Sequence, residues 1–112
     1  MEEKQQRLVR RYYQYLKLEK GHSPNTIDAY MRDLDKFLRF LKDEGKDFLS
    51  IELEDVHHFS ALMMDVGIHP ASLSRILSGV RSFYHFLVLS DVLEVNPTEL
   101  LENGRLAEVI TL

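Results

Sequence analysis

Residues 23–45, SPNTIDAYMRDLDKFLRFLKDEG, decide the fold because they predict one long amphipathic helix with sharp ends. Ser23 suits the N-cap position, and Pro24 suits the first helical position, where a missing N–H costs nothing. Apolar side chains recur behind this start at helical spacing: Ile27, Tyr30, Met31, Leu34, Phe37, Leu38 and Leu41. Gly45 then ends the helix. A stripe this broad has to be buried against other elements.

The rest of the chain predicts more helices. Helical patterns cover residues 3–20, 55–66 and 70–90, and a connecting loop is predicted at 48–54. The residues predicted to point inward from the short, acidic third helix are Val56, Phe59, Leu62, Met63 and Val66. Asn96-Pro97-Thr98-Glu99 predicts a capping box that opens a fifth helix through Leu101. The predicted fold class is all-α: a compact bundle of four helices plus a short fifth C-terminal helix.

Composition limits the possible functions. A chain of 112 residues supports a single core and is too short to hold a binding domain and a catalytic domain together. The absence of cysteine excludes disulfides and thiolate metal sites. No apolar run is long enough to cross a membrane, and the N-terminus lacks the apolar stretch of a signal peptide. We therefore expect a cytoplasmic protein with no membrane partner.

Charge is distributed unevenly along the chain, although the net charge is −4. Residues 1–42 carry 10 basic and 6 acidic side chains, and residues 70–90 carry 2 basic and no acidic ones. Residues 43–69 carry only 1 basic side chain against 7 acidic ones. A fold that brings the two basic segments to one side has a positive face despite its overall acidity.

The helix at 70–90 carries the strongest functional signal. Opposite its apolar stripe lie small, hydroxylic and cationic side chains: Ser74, Arg75, Ser78, Arg81, Ser82 and His85. Serine and arginine donate hydrogen bonds to phosphate oxygens, and arginine also pairs with guanine in a major groove. Neither Arg75 nor Arg81 belongs to the apolar stripe, so replacing either with alanine is expected to leave stability nearly unchanged.

The start of the second helix gives an independent indication. Ser23, Asn25 and Thr26 place hydroxyl and amide groups around a helix N-terminus. The free N–H groups and the dipole at that end attract phosphate. Ordinary capping explains Ser23 equally well.

Three sequence blocks together resemble a known family. They are Ser23-x-Asn25-Thr26-x3-Tyr30-x2-Asp33-Leu34-x2-Phe37-x2-Phe40-Leu41, then Leu73-Ser74-Arg75-x-Leu77-Ser78-x-Val80-Arg81-x-Phe83-Tyr84-x-Phe86-Leu87, and Asn96-Pro97. In this order and spacing, residues 1–102 resemble the N-terminal core-binding, SAM-like domain of tyrosine recombinases of the Xer and phage-integrase type. Residues 103–112 resemble the linker toward a C-terminal catalytic domain, which these 112 residues lack.

The resemblance implies a DNA-binding function. In the family, this domain clamps double-stranded DNA at the recombination site through its second and fourth helices. Carried over by position, the DNA-binding residues are Ser23, Asn25, Thr26, Tyr30, Arg32, Ser72, Ser74, Arg75, Ser78 and Arg81. The first and fifth helices are implied in contacts with other recombinase protomers in a synaptic tetramer, while the fragment alone is expected to be monomeric.

The family's chemistry passes through a covalent tyrosyl-phosphate, and its catalytic residues belong to the catalytic domain. The resemblance therefore implies that this fragment binds DNA without cutting it, with no catalytic residue and no cofactor, whereas the parent protein is a tyrosine recombinase.

Other functional interpretations are weaker. His57 and His58 suggest a metal site, but adjacent residues on a helix point about 100° apart and no further ligand completes a site. Asp33 is expected to make a structural hydrogen bond or salt bridge rather than act as an acid or base. The remaining alternative is a small helical protein–protein interaction module, in which the acidic third helix faces a basic partner.

Overall fold

Four α-helices make up most of residues 2–99, the part of the chain that the computed structural model describes. They are α1 (Glu2–Gln14), α2 (Pro24–Asp43), α3 (Leu53–Asp65) and α4 (Pro70–Leu89). No strand occurs among the described residues, so the predicted all-α bundle is confirmed. Of the fifth helix predicted to open at Asn96–Glu99, only this start is described, and there Asn96 Oδ1 accepts the Thr98 N–H at 2.8 Å. The rest of that helix, through Leu101, and the predicted linker at 103–112 lie outside this range.

The first helix changes type before it ends. A single π-helical turn, Tyr15–Glu19, follows α1, and the Lys20 N–H donates to the Tyr15 carbonyl at 3.1 Å. The helical segment ends before Gly21, whose φ of 65° is a left-handed conformation that glycine adopts without strain. The predicted extent, 3–20, is thus nearly right, whereas the wider last turn was not foreseen.

Ser23 caps α2 as predicted, because its Oγ accepts a hydrogen bond from the Thr26 N–H at 3.3 Å. The core between α1, α2 and α4 combines aliphatic and aromatic side chains, and Tyr12 lies fully buried within it, against Phe83. The Tyr12 hydroxyl donates to Ser82 Oγ at 3.0 Å. Ser82 is therefore half-buried and faces α1, which corrects its predicted place on the outer face of α4.

The third helix starts earlier and is buried less than predicted. The Asp55 carboxylate accepts the Glu52 N–H at 2.9 Å, and this cap lets the helix begin at Leu53. Val56 and Phe59 are buried and Met63 packs partly against the core, as predicted. Leu62 and Val66 were predicted to point inward and do not, being 39% and 65% exposed. The fully buried residues of α3, Val56 and Phe59, lie in its first half, and its last turn extends past the core.

An ion pair joins α2 to α4, the two helices with the most extensive mutual contact. Arg75 Nε donates to Asp33 Oδ2 at 3.0 Å, and Arg75 Nη2 donates to Asp33 Oδ1 at 3.1 Å. The Asp33 side chain is only 2% exposed. The expectation that Asp33 makes a structural salt bridge is confirmed.

The same pair contradicts the expectation that Arg75→Ala leaves stability unchanged. Arg75 neutralises a buried carboxylate, and removal of one partner leaves the other charge buried and uncompensated. We expect Arg75→Ala to lower Tm clearly at neutral pH, measured by circular dichroism, and a second change, Asp33→Asn, to restore part of the loss.

Arg39→Ala is the matched control. Arg39 Nε bonds Asp35 at 2.6 Å, but both side chains are largely exposed. Such a surface pair is worth about 0.3–0.5 kcal/mol. Equal melting temperatures for Arg75→Ala and Arg39→Ala would contradict a structural role for the Asp33–Arg75 pair.

Gly79 lies buried on α4 beside Asp33, and it provides a second test of this helix contact. A Cβ added there would meet Asp33 Cβ at 3.8 Å, an ordinary van der Waals distance. We expect Gly79→Ala to raise the free energy of unfolding by about 0.5–1 kcal/mol, because alanine favours the helix and its methyl fits. Urea denaturation measures this change. Gly21→Ala is the contrasting variant and should lower the free energy of unfolding, because Gly21 has a left-handed backbone conformation. If Gly79→Ala also lowered it, the contact between α2 and α4 would have no room for the added methyl group.

Candidate nucleic-acid interface

The outer surface of α4 holds most of the predicted interface. Pro70 begins the helix, and His69 caps it by accepting the Ala71 N–H on Nδ1 at 3.0 Å. The residues that stay on this surface, called the α4 outer face below, are Ser74, Arg75, Ser78, Arg81 and His85. Arg81 is half-buried and the other four are exposed, while the predicted Ser72 lies half-buried beside this face. The helix has no acidic residue, so nothing within it offsets these cations.

The start of α2 uses part of its predicted interface for its own capping. Ser23 Oγ accepts the Thr26 N–H and also donates to Thr26 Oγ1 at 3.0 Å. The two hydroxyls therefore bond each other, which limits what each offers to a ligand. Asn25 and Arg32 are exposed on the same helix. Of the predicted α2 residues, these two present their polar groups most openly.

A cleft of about 620 Å³ brings Tyr30 of α2 together with Ser78 and Arg81 of α4. Sequence reasoning placed Ser78 and Arg81 on one helix and Tyr30 on another, and the fold brings all three around one cavity. Lys20 and His85 line the same cleft and were not among the predicted site residues. One sequence signal could have identified Lys20: it lies three residues before the Ser23 cap, so its cation is close to the start of α2.

The cleft is not a simple anion pocket. Glu94 and Glu99 also line it, so its lining carries acidic as well as basic side chains. The side chain of Asn96 holds this side of the cleft in place, because Asn96 Nδ2 donates to the Arg81 carbonyl at 3.3 Å. Basic side chains lie on the α4 outer face and on the exposed side of α2, where Asp28 and Asp35 are exposed as well, and the cleft borders this surface.

Arg75 differs electrostatically from Arg81. Its hydrogen bonds to Asp33, followed by the charge of that carboxylate, raise the pKa of Arg75 above its ordinary value. The pair is neutral as a unit, so Arg75 adds hydrogen-bond donors to the surface and little net charge. Arg81 makes no ion pair within the described residues and keeps its charge for a ligand.

The structure thus gathers some predicted residues and leaves others apart. Tyr30, Ser78 and Arg81 share the cleft, and Arg75 lies where α2 meets α4 through Asp33. The remaining predicted residues are distributed over the two helices without contacting that cleft: Ser23, Asn25, Thr26, Arg32, Ser72 and Ser74.

Two tyrosines have clear structural roles. Tyr12 bonds Ser82, and the Tyr84 hydroxyl donates to the Phe48 carbonyl at 2.6 Å. Burial raises the pKa of both phenols, so neither is poised to become a phenolate nucleophile. Within residues 2–99 no cluster of histidine and carboxylate side chains has the arrangement of a metal site. None of the helices described above has the length and apolarity needed to span a membrane.

Comparison with known proteins agrees with this architecture. The family described as "Phage integrase, N-terminal SAM-like domain" matches residues 9–90. The chain is 38% identical to "Tyrosine recombinase XerC" of Pediococcus pentosaceus over 97 residues, which cover 85% of this chain and 32% of that protein. It is 33% identical to "Tyrosine recombinase XerD" of Oceanobacillus iheyensis over 89 residues, covering 78% of this chain and 30% of that protein.

A third relative, "Tyrosine recombinase XerC" of Leptospira interrogans, is 39% identical over 90 residues, which cover 80% of this chain and 29% of the relative. The chain thus spans about a third of the length of these curated relatives. No solved structure gives a significant match. The family match extends from α1 to the end of α4 and confirms the resemblance inferred from the sequence blocks. The chain belongs to the phage integrase N-terminal SAM-like domain family.

Proposed function

We propose that this chain is the DNA-binding domain of a site-specific tyrosine recombinase and that it binds duplex DNA through α2 and α4. The observation that carries the proposal is the α4 outer face, which is cationic, rich in serine and free of acidic residues. Short side chains allow a helix to approach a surface closely. The same face adjoins α2, where Asn25 and Arg32 are exposed, so the two helices offer one continuous surface.

The side chains on this surface divide into two kinds. Arg32 and Arg81 supply charge for phosphates, which gives affinity without reading sequence. Asn25, Ser74 and Ser78 supply short, directional donors and acceptors. With few cations and an overall charge of −4, the chain should bind weakly and lose affinity steeply as salt rises.

The proposed role is binding without cleavage. The curated relatives are named tyrosine recombinases and are about three times as long as this chain. The tyrosyl-phosphate chemistry of the parent protein would therefore belong to a catalytic domain joined through residues 103–112. The parent would act in the cytoplasm, where its DNA substrate lies.

Contacts between recombinase protomers form a second part of the proposal. Leu18 and Leu89 are exposed and line an apolar groove of about 390 Å³ with Tyr15 and Phe86. This groove lies at the end of the first helical segment, the element that the resemblance implies in protomer contacts. We propose that it contributes to protomer contact in the synaptic tetramer of the parent protein, while the isolated chain stays monomeric.

Arg81→Ala tests the DNA-facing role of α4. Loss of one phosphate contact should weaken binding on all duplex sequences and lower the salt slope, d log K/d log [salt], by about 1. Fluorescence anisotropy with labelled duplex at several salt concentrations measures both quantities. Stability should change little, because the Asn96 bond is to the Arg81 main-chain carbonyl, which alanine retains.

Arg39→Ala is the charge-matched control, because Arg39 lies seven residues beyond Arg32, about 10 Å along α2, and is paired with Asp35. It should have the smaller effect on binding. If folded Arg81→Ala protein keeps the wild-type affinity and salt slope, α4 does not face DNA. The alternative, a protein–protein interaction module, would then be favoured.

A further inference from the structure

The Asp33–Arg75 pair has a geometry that a purely structural ion pair does not require. The carboxylate is 2% exposed, whereas the Arg75 side chain is 56% exposed. The pair therefore has a buried acidic end and a surface-exposed basic end. Its exposed end belongs to the α4 outer face.

The two hydrogen bonds occupy only one edge of the guanidinium group. Arginine has five N–H donors, and Asp33 accepts one from Nε and one from Nη2. Both N–H groups of Nη1 and the second N–H of Nη2 remain. One Nη1 donor and the remaining Nη2 donor form a second edge, with the parallel spacing that matches two neighbouring acceptors.

Asp33 also fixes the direction of this second edge. A bidentate bond allows one orientation of the planar guanidinium group, and the anchoring carboxylate is itself held in the contact between α2 and α4. The rotational freedom of the arginine is lost on folding, before any ligand arrives, which favours a directional contact.

We propose that Asp33 is a positioning residue that holds Arg75 so that its free edge reads guanine in the major groove. This inference rests on the proposed DNA-binding function. Guanine N7 and O6 are two neighbouring acceptors that suit such an edge. A phosphate is a poorer partner, because the Asp33–Arg75 pair is neutral as a unit and gains little from an anion.

The test compares Asp33→Asn with Asp35→Asn in the 112-residue chain. Both changes remove one negative charge from α2, but Asp35 is exposed and pairs with Arg39 rather than Arg75. Each protein is used to select duplexes from a randomised DNA pool at low salt, at a temperature where circular dichroism shows it folded. The selected sequences give base preferences, and titrations of individual duplexes give affinities and salt slopes.

We expect the wild type and Asp35→Asn to select guanine at one position. In Asp33→Asn, the ratio of affinities for guanine over the other bases at that position should fall about 5- to 150-fold. Its overall affinity for DNA should not fall in the same way, because the variant has one negative charge fewer. Arg75→Lys provides a second variant, because its ammonium still pairs with Asp33 and keeps the charge but lacks the fork. It should fold, keep the salt slope and lose the guanine preference.

Three results would overturn the inference while leaving the proposed function intact. They are a wild type that binds DNA without a guanine preference, an Asp33→Asn variant that keeps the preference, and a folded Arg75→Lys variant that keeps it. If Asp33→Asn does not fold, Arg75→Lys decides the matter. Failure of the wild type to bind any duplex at low salt would refute the proposed function itself.

Discussion

The Asp33 carboxylate is buried between two helices and is charged, so the fold requires a cation beside it. Arg75 supplies that cation from a position 42 residues further along the chain. The pair helps to set the register of α4 against α2, because the Arg75 guanidinium group bonds both Asp33 carboxylate oxygens across the contact between the two helices. Gly79, one turn further along α4, lies beside the same carboxylate, at a distance that leaves room for a methyl group. The placement of the α4 outer face beside the start of α2 follows from this register.

The fold also assigns the acidic and the basic segments of the chain to different elements. The acidic segment at 43–69 forms the loop after α2 and then α3, and the basic segments form α1, α2 and α4. Several acids have local structural roles. Asp55 caps α3 and bonds Lys46 at 3.2 Å, and the backbone hydrogen bond from Glu52 is the main reason that its pKa is lowered. Asp55 thus stabilises α3 and its contact with Lys46, and α4 itself has no acidic residue.

Much of the fold could be predicted from local sequence patterns. Ser23, Pro24 and Gly45 mark the limits of α2 because capping and glycine conformations depend on neighbouring residues. The outward direction of Ser82 was mispredicted because its place depends on the Tyr12 hydroxyl, 70 residues away. Leu62 and Val66 were placed inward by helical periodicity, which finds an apolar face but cannot show how far the neighbouring helix covers it. The π-helical turn at Tyr15–Glu19 has no local signature in the sequence.

The candidate site shows the same division between local and tertiary information. The charge pattern and the family resemblance selected α2 and α4, but they treated Arg75 and Arg81 as equivalent cations. Only the tertiary structure separates them, since Arg75 is paired and fixed while Arg81 borders a cleft. Helical spacing placed His85 on the same face as Arg81, but only the packing of α4 against α2 brings that face to Tyr30.

In the proposed function, α2 and α4, joined through Asp33, form one DNA-facing surface. The most direct measurement is a two-dimensional ¹H–¹⁵N NMR titration of the labelled chain with duplex DNA at low salt, recording backbone amides and the Arg75 Nε–H signal. We expect the shift changes to concentrate in the first half of α2, along α4 and at Arg75 Nε–H, while the amide signals of α3 stay unchanged. Changes centred on α3, or no change at any DNA concentration, would contradict it.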